Sequence, residues 1–415
     1  MNRPITAVAV VVTLVLGVVL GIVAGSAALP GLAATASSTA LAEVSPAASD
    51  VPATPGQTAT PQPTPEPTPT PQPTPEPTPT PQPTPKLVPD PLTGRLVTEA
   101  VANRPVVAVM IDDQALARPQ SGLSSASVVW QAPAEGGIPR YMALFHDQAP
   151  PSVGPIRSAR YYFIAWAAEW NAVYFHVGGS PQALALLHSA DGRGKAVYDA
   201  DEFRWGQAYM WRIKERYAPH NVYTDGKHLW SLAKKVGATP AEKTAAWTFA
   251  PDAAYARRPK GGKITVPYLA NKIVYTYDRR SNRYLRAVTG ETRQVDAGTD
   301  ERVGPKNVVI ILMSFAPLND GSKKHRLEAQ FIGKGTAWIA TNGLTVKGTW
   351  RKASLTGATK LFGPDGKPVT LTVGQTFVQV VPIGTTITVK DGTVPKVPPR
   401  PATGGRADPR GAVAS

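Results

Sequence analysis

Residues 159–177 read ARYYFIAWAAEWNAVYFHV, and their pattern decides the class of fold. Ala159–Trp170 has a broad apolar face over helix length. Ala172–Val177 packs valine and aromatic residues into a run of strand length. A helix followed at once by a buried strand belongs to a mixed layer domain. Outward from this stretch, Val106–Ile111 (VVAVMI), Ser127–Ala132 (SVVWQA) and Tyr141–His146 (YMALFH) read as three further strands. Pro181–His188 and Lys227–Val236 read as helices, the second closing on Lys234 and Lys235 before Gly237. Residues 92–258 are therefore expected to form an α+β or α/β domain on a mixed sheet.

Beyond residue 258 the helical period disappears. Lys272–Asp278 and Tyr284–Val288 flank the turn Arg279-Arg280-Ser281-Asn282, and Asn307–Met313 is a buried strand. Short runs follow at Gln330–Ile332, Ala337–Ala340, Leu344–Trp350, Thr359–Phe362, Val369–Val373, Thr376–Val381 and Thr385–Val389. Asn342-Gly343 and Asp365-Gly366 supply turn chemistry between them. Residues 259–394 are expected to be a mainly-β domain, sandwich or barrel-like.

The flanks have a different composition. Residues 1–30 carry Arg3 and then no charge until Glu43. The apolar run from Ile5 to about Leu29 exceeds the roughly 20 residues that cross a bilayer. One positive charge ahead of it favours export of the chain beyond it, leaving a single-pass protein with its folded part outside the cytoplasm. The alternative is a signal peptide cleaved after small-x-small sites such as Ala34-Thr35-Ala36. Residues 31–91 hold a Pro/Thr-rich spacer in which PQPTPEPTPT at 61–70 recurs at 71–80. Such a stretch has nothing to bury and favours polyproline II, at about 3.1 Å per residue. Residues 395–415 are again Pro/Gly-rich and are expected to lack a fixed fold.

Net charge is +15, placed unevenly. The first segment carries +4 and residues 259–400 carry +13, so a basic second domain is expected to face acidic partners. Nucleic acid fits that charge but not an exported chain. The absence of cysteine removes disulfides, thiolate metal sites, thiol nucleophiles and an N-terminal lipidated cysteine. No cofactor motif is found.

Three polar clusters in the first segment exceed what a core needs. Gly154–Arg160 (GPIRSAR) leads into the first helix, with Ser158 placed as its N-cap and Arg157 and Arg160 at the same end. Exposed N–H groups beside two arginines make an anion receptor. The plainer reading is a capped helix whose arginines pair with local carboxylates. In His176–Gln182 (HVGGSPQ), Gly178, Gly179 and Ser180 form a strand-to-helix turn, with Pro181 at the first helical position. The glycines either let a ligand approach the backbone or only permit the turn. Arg216–Tyr223 contains His220 and Asn221, and Asp112, Asp113, Glu135 and His146 stand near predicted strand ends. An acid/base pair or a hard-metal site is conceivable there, although no spacing matches HExxH, an EF-hand or a hydrolase elbow.

Asn103-Arg104-Pro105, Met110-Ile111-Asp112, Ala117–Leu123, Glu135–Ile138, Gly154–Arg160, His176–Ala183 and Ala218–Thr224 follow one another in an order that resembles the YerB-like putative lipoprotein family, a bacterial domain of unknown function. Tyr277-Asp278, Asn307–Val309, Gly348–Trp350 and Val380–Pro382 extend the resemblance through the family's C-terminal domain. The family is commonly lipid-anchored, so in this chain the resemblance implies anchoring by the apolar segment. Family members tend to carry a histidine before an aspartate where this chain has Gln294-Val295-Asp296, so a catalytic role needing that histidine is not expected.

The resemblance supplies no reaction. The expected role is a surface binding module for an anionic ligand or envelope polymer, using Arg118, Arg140, Arg157, Ser158, Arg160, Gly178, Gly179, Ser180 and Asn221. The rival is an envelope-acting hydrolase or transferase with Asp112, Glu135, His176 and His220 as acid, base or metal-holding groups. A third is a scaffold that docks a protein partner.

Overall fold

The computed structural model describes residues 85–189, 196–240 and 247–396. The apolar N-terminal segment, the spacer up to residue 84 and the tail from residue 397 lie outside the described residues, as do the expectations placed on them. Among the described residues no helix is long and apolar enough to cross a membrane.

In chain order the main strands are β1 (Val107–Asp112), β2 (Val128–Pro133), β3 (Pro139–Phe145), β4 (Val173–His176) and β5 (Tyr198–Asp201). The second segment adds β6 (Lys260–Pro267), β7 (Lys272–Asp278), β8 (Arg283–Val288), β9 (Asn307–Met313) and β10 (Gly333–Thr341). It continues with β11 (Leu344–Lys352), β12 (Lys360–Phe362), β13 (Thr376–Pro382) and β14 (Thr388–Thr393). The principal helices are α1 (Tyr161–Ala168), α2 (Pro181–Leu187) and α3 (Gly226–Lys235).

One ten-stranded sheet, ordered β12-β11-β10-β9-β13-β2-β3-β1-β4-β5, runs through both segments. The join is a parallel pairing of β13 with β2, which sets Thr376 opposite Val128 and Gln379 opposite Gln131. All six residues of β1 and all seven of β3 are buried, because the sheet is covered on both faces. Alternation sorts their side chains. Ala108, Met110, Met142 and Leu144 point to the layer holding α1 and α2, and Val107, Val109, Ile111, Tyr141, Ala143 and Phe145 to the other. On the first face Trp130 stacks on Trp166 of α1, ring centres 4.6 Å apart and planes within 9°. Such a pair adds about 0.5–1.5 kcal/mol beyond area burial. On the second face lie α3 and a four-stranded sheet, β8-β7-β6-β14, so the C-terminal segment makes its sheet-on-sheet packing against a sheet it helps to build.

Between those sheets a polar knot replaces apolar contact. Arg286 is fully buried and donates to Tyr141 Oη (3.0 Å), Tyr275 Oη (3.2 Å), Gln131 Oε1 (2.6 Å) and Gln294 Oε1. Asp113, also buried, accepts from Gln131 (2.7 Å), Asn271 (3.1 Å) and Arg118 (3.2 Å). Burial pushes the Asp113 carboxyl above its usual range, against the opposing pull of Arg118 and Arg286.

Most expected elements are present, with differences of physical interest. Gln330–Ile332 is not a strand; the neighbouring Leu327–Ala329 is, paired antiparallel with Phe315–Pro317. The expected strand Thr385–Val389 lies later, at β14. Ser158 does not cap α1. Arg160 holds that position without a side-chain cap bond, because residues 153–159 are still extended. Ser180 does cap α2, accepting from Ala183 N at 3.3 Å with Pro181 following.

Candidate functional site

The site forms where the chain after β3 returns along β1. Asp112 N donates to Pro155 O (3.0 Å) and Arg157 N to Met110 O (2.9 Å), which fixes Arg157 beside the last residue of β1. Ala159 N donates to Gly178 O (2.9 Å) and Ser180 N to Ala159 O (3.2 Å), which lays the 178–180 turn against Ser158–Arg160. Arg140 arrives from β3, directly opposite Asp112 in register. These backbone bonds gather three arginines from two stretches of sequence.

The result is a cavity of about 510 Å³ lined by Asp112, Glu135, Arg140, Arg157, Ser158, Arg160, Gly179 and Ser180 from the first segment. Lys323, Lys324, His325 and Arg326 from the second segment complete it. Six cationic side chains therefore face two carboxylates. Glu135 pairs with Arg160 and with Arg140 (3.4 Å), and Arg326 Nε stands 3.9 Å from it. Burial alone would raise the Glu135 carboxyl, but Arg160 and Arg140 hold it below its usual range. Burial and the neighbouring Arg160 push Arg140 down to about 10, with Glu135 acting against both. Ser158 contributes its carbonyl, which accepts from Arg140 (2.8 Å) and Arg160 (3.3 Å).

Asp112 is the hinge between two features. Its Oδ2 lies 2.9 Å from Arg157 Nε and 2.7 Å from His220 Nδ1, while Oδ1 accepts from Gln114 N (3.0 Å). Among the described residues the terminal nitrogens of Arg157 and Nε2 of His220 have no protein hydrogen-bond partner.

Other candidates lie elsewhere. His176 is fully buried, with Nδ1 2.8 Å from Gly178 O and Nε2 2.7 Å from Asp199, so both ring nitrogens are occupied. It does not join Asp112; His220 reaches Asp112 but does not line the cavity that holds Glu135. Gly178 does not line the cavity; its N–H donates to Asp201 (2.9 Å) and its φ of +56° suits glycine in the turn. Arg118 donates to Asp113 and to Thr289 O (2.8 Å), tying the segments together outside the cavity. Asn221 accepts from Arg212 (3.1 Å) and is also outside. His146 is buried between Asp90 and the Arg104 carbonyl. Gln294 is buried under Arg286, and Asp296 accepts from Gly122 N (3.0 Å) and Ser124 N (2.7 Å). Among the described residues no group of three His, Asp or Glu side chains is placed to hold a metal ion.

The cavity cluster 323–326 escaped sequence reading. It sits in an irregular connection between short strands, and only its lysine pair and arginine could have marked it.

This architecture defines a two-segment, sheet-centred protein of a kind described as a protein of unknown function. The DUF3048 N-terminal domain matches residues 92–239 and the DUF3048 C-terminal domain residues 264–378. The chain is 31% identical over 299 residues to "Putative lipoprotein YerB" of Bacillus subtilis (strain 168), covering 70% of this chain and 86% of that one. It also superposes on the crystal structure of YerB protein from Bacillus subtilis with a TM-score of 0.63 at 26% identity, over 73% of this chain and 100% of that one. The chain belongs to the YerB-like family. The relative's designation as a lipoprotein describes an exported or membrane-anchored protein, in keeping with export of this chain.

Proposed function

We propose that the protein is an envelope-surface binding module for an anionic ligand, held at the membrane by its N-terminal segment as a single-pass protein. The supporting observation is the convergence of Arg140, Arg157, Arg160 and the 323–326 cluster on one cavity whose two carboxylates leave positive charge in excess. Arg160 is too deeply paired with Glu135 to serve as a clean probe. The exposed pair Lys323 and Lys324 and the partly exposed Arg157 serve better. Lys323→Ala with Lys324→Ala should weaken retention on purified anionic envelope fractions at unchanged melting temperature, and Arg157→Gln should weaken it further. Retention equal to wild type in both variants refutes the reading.

A second reading rests on His220. Its Nδ1 is held by Asp112 while Nε2 is without a protein partner among the described residues, an arrangement able to orient an imidazole as a general base. In a hydrolase or transferase of envelope material, His220→Gln would abolish product release from envelope fractions while leaving retention intact. Intact turnover would exclude the dyad.

A further inference from the structure

We propose, resting on the anion-binding reading above, that the ligand is a phosphorylated sugar, with the phosphate in the arginine cavity and the sugar ring in a slot beside it. Arg160, Ser180 and Arg326 line not only the large cavity but a second one of about 180 Å³. Tyr161, Leu318 and Leu327 give that slot its apolar walls. A cavity of about 150 Å³ holds a six-membered carbon ring, so the slot has room for one ring and little more.

The polar residues that line the slot, Arg160, Ser180, Gln182, Arg326 and Glu328, narrow the chemistry. Gln182 lines it, and Gln182 Oε1 is buried with no hydrogen-bond donor among the described residues. Arg160 is 8% exposed, and Arg160 Nε and Arg326 Nε are buried without an acceptor among the described residues. Buried groups of this kind are costly to leave unmatched, so the slot fits a ligand that brings both a donor and acceptors. An acyl chain would fill the walls and satisfy none of these atoms. A sugar ring presents an apolar face to Tyr161 and the leucines, a hydroxyl hydrogen to Gln182 Oε1 and oxygens to the arginines. A phosphate suits the adjoining cavity better than a carboxylate, because six cations against two carboxylates favour the group with more charge and more acceptor sites.

The same chemistry occurs in a free sugar phosphate and in a sugar-phosphate polymer. Calorimetric titration of the full-length protein in detergent with inorganic phosphate, glucose, glucose 1-phosphate and a purified sugar-phosphate glycopolymer separates the cases. Glucose 1-phosphate should bind about tenfold or more tightly than inorganic phosphate, and glucose alone should show no heat. Leu318→Trp fills the slot from its partly exposed edge; it should bring glucose 1-phosphate down to the affinity of inorganic phosphate and leave the latter unchanged. Gln182→Leu should weaken only the sugar-bearing ligands. Polymer binding tighter than glucose 1-phosphate assigns the polymer as the source, and binding of the monoester alone assigns the free metabolite. Equal affinity for inorganic phosphate and glucose 1-phosphate, or indifference to Leu318→Trp, overturns this inference and leaves the anion site standing. No binding of any anion removes both.

Discussion

Replacing Glu135 by glutamine should make the protein less stable and a better anion binder at once. Glu135 is 18% exposed at its side chain and holds Arg160 and Arg140. Removing one partner of a fully buried pair costs about 3–5 kcal/mol, and the partial exposure here together with the oxygen that glutamine keeps lowers that to about 2 kcal/mol. For a fold of this size such a loss lowers Tm by about 4 °C. The same carboxylate repels a bound anion. At about 7 Å and an effective dielectric of about 20 the repulsion is about 2 kcal/mol, which screening reduces to about a tenfold gain in affinity when the charge is removed. A ligand present at a hundred times its Kd stabilises by about 2.7 kcal/mol and at ten times by about 1.4 kcal/mol, so phosphate that recovers the lost stability in Glu135→Gln should stabilise wild type only about half as much. Thermal unfolding across a phosphate series reads both effects. Equal phosphate-induced shifts in the two proteins would refute the reasoning, as would a variant as stable as wild type without phosphate.

Two further outcomes concern the frame around the site. Lys352 and Glu169 form a buried pair across the segments (2.9 Å), with Glu169 also accepting from Thr359 N (3.0 Å). Lys352→Met should cost about 3–5 kcal/mol in denaturant unfolding, and adding Glu169→Leu should recover part of it, the stranded Thr359 N–H setting the limit, whereas additive losses would contradict a coupled pair. Burial would raise the Asp199 carboxyl, but His176 at 2.7 Å and His188 at 3.3 Å hold it below its usual range. A depressed carboxylate stabilises fully above its unfolded pKa and loses that contribution as pH falls through the lowered folded value. The denaturant midpoint of wild type should therefore drop on acidification below the ordinary carboxylate range, and less steeply in Asp199→Asn. Parallel pH profiles would count against the linkage.

The near-continuous apolar runs of β1, β3 and β9 are readable because these strands are buried on both faces and carry little else. Tyr198–Asp201 (YDAD) is not, since its carboxylates serve His176 and the Gly178 N–H and so hide a half-buried strand behind polar letters. Lys260–Pro267 escaped because Gly261 and Gly262 break the pattern at its start. Arg157 and Arg160 were found from their spacing ahead of a helix. Glu135 was marked by its place near a predicted strand end and Arg140 only by its charge, and their convergence depends on pairing across β1 and β3, which no local window contains. The 323–326 cluster lies about 165 residues from Arg157 and is joined to it only by tertiary folding.

The place of β13 has a consequence for synthesis. It is almost the last strand made, yet it sits between β9 and β2, in parallel register with both. Until residues 376–382 emerge, the β2 edge is an unpaired row of backbone donors and acceptors beside apolar side chains, open to pairing with another chain. Closure across some 250 residues is slow compared with local hairpin formation. A chain made from its N-terminus must therefore wait, unfinished, for its own C-terminal strand. Truncation before residue 376 should yield aggregation rather than a smaller working domain.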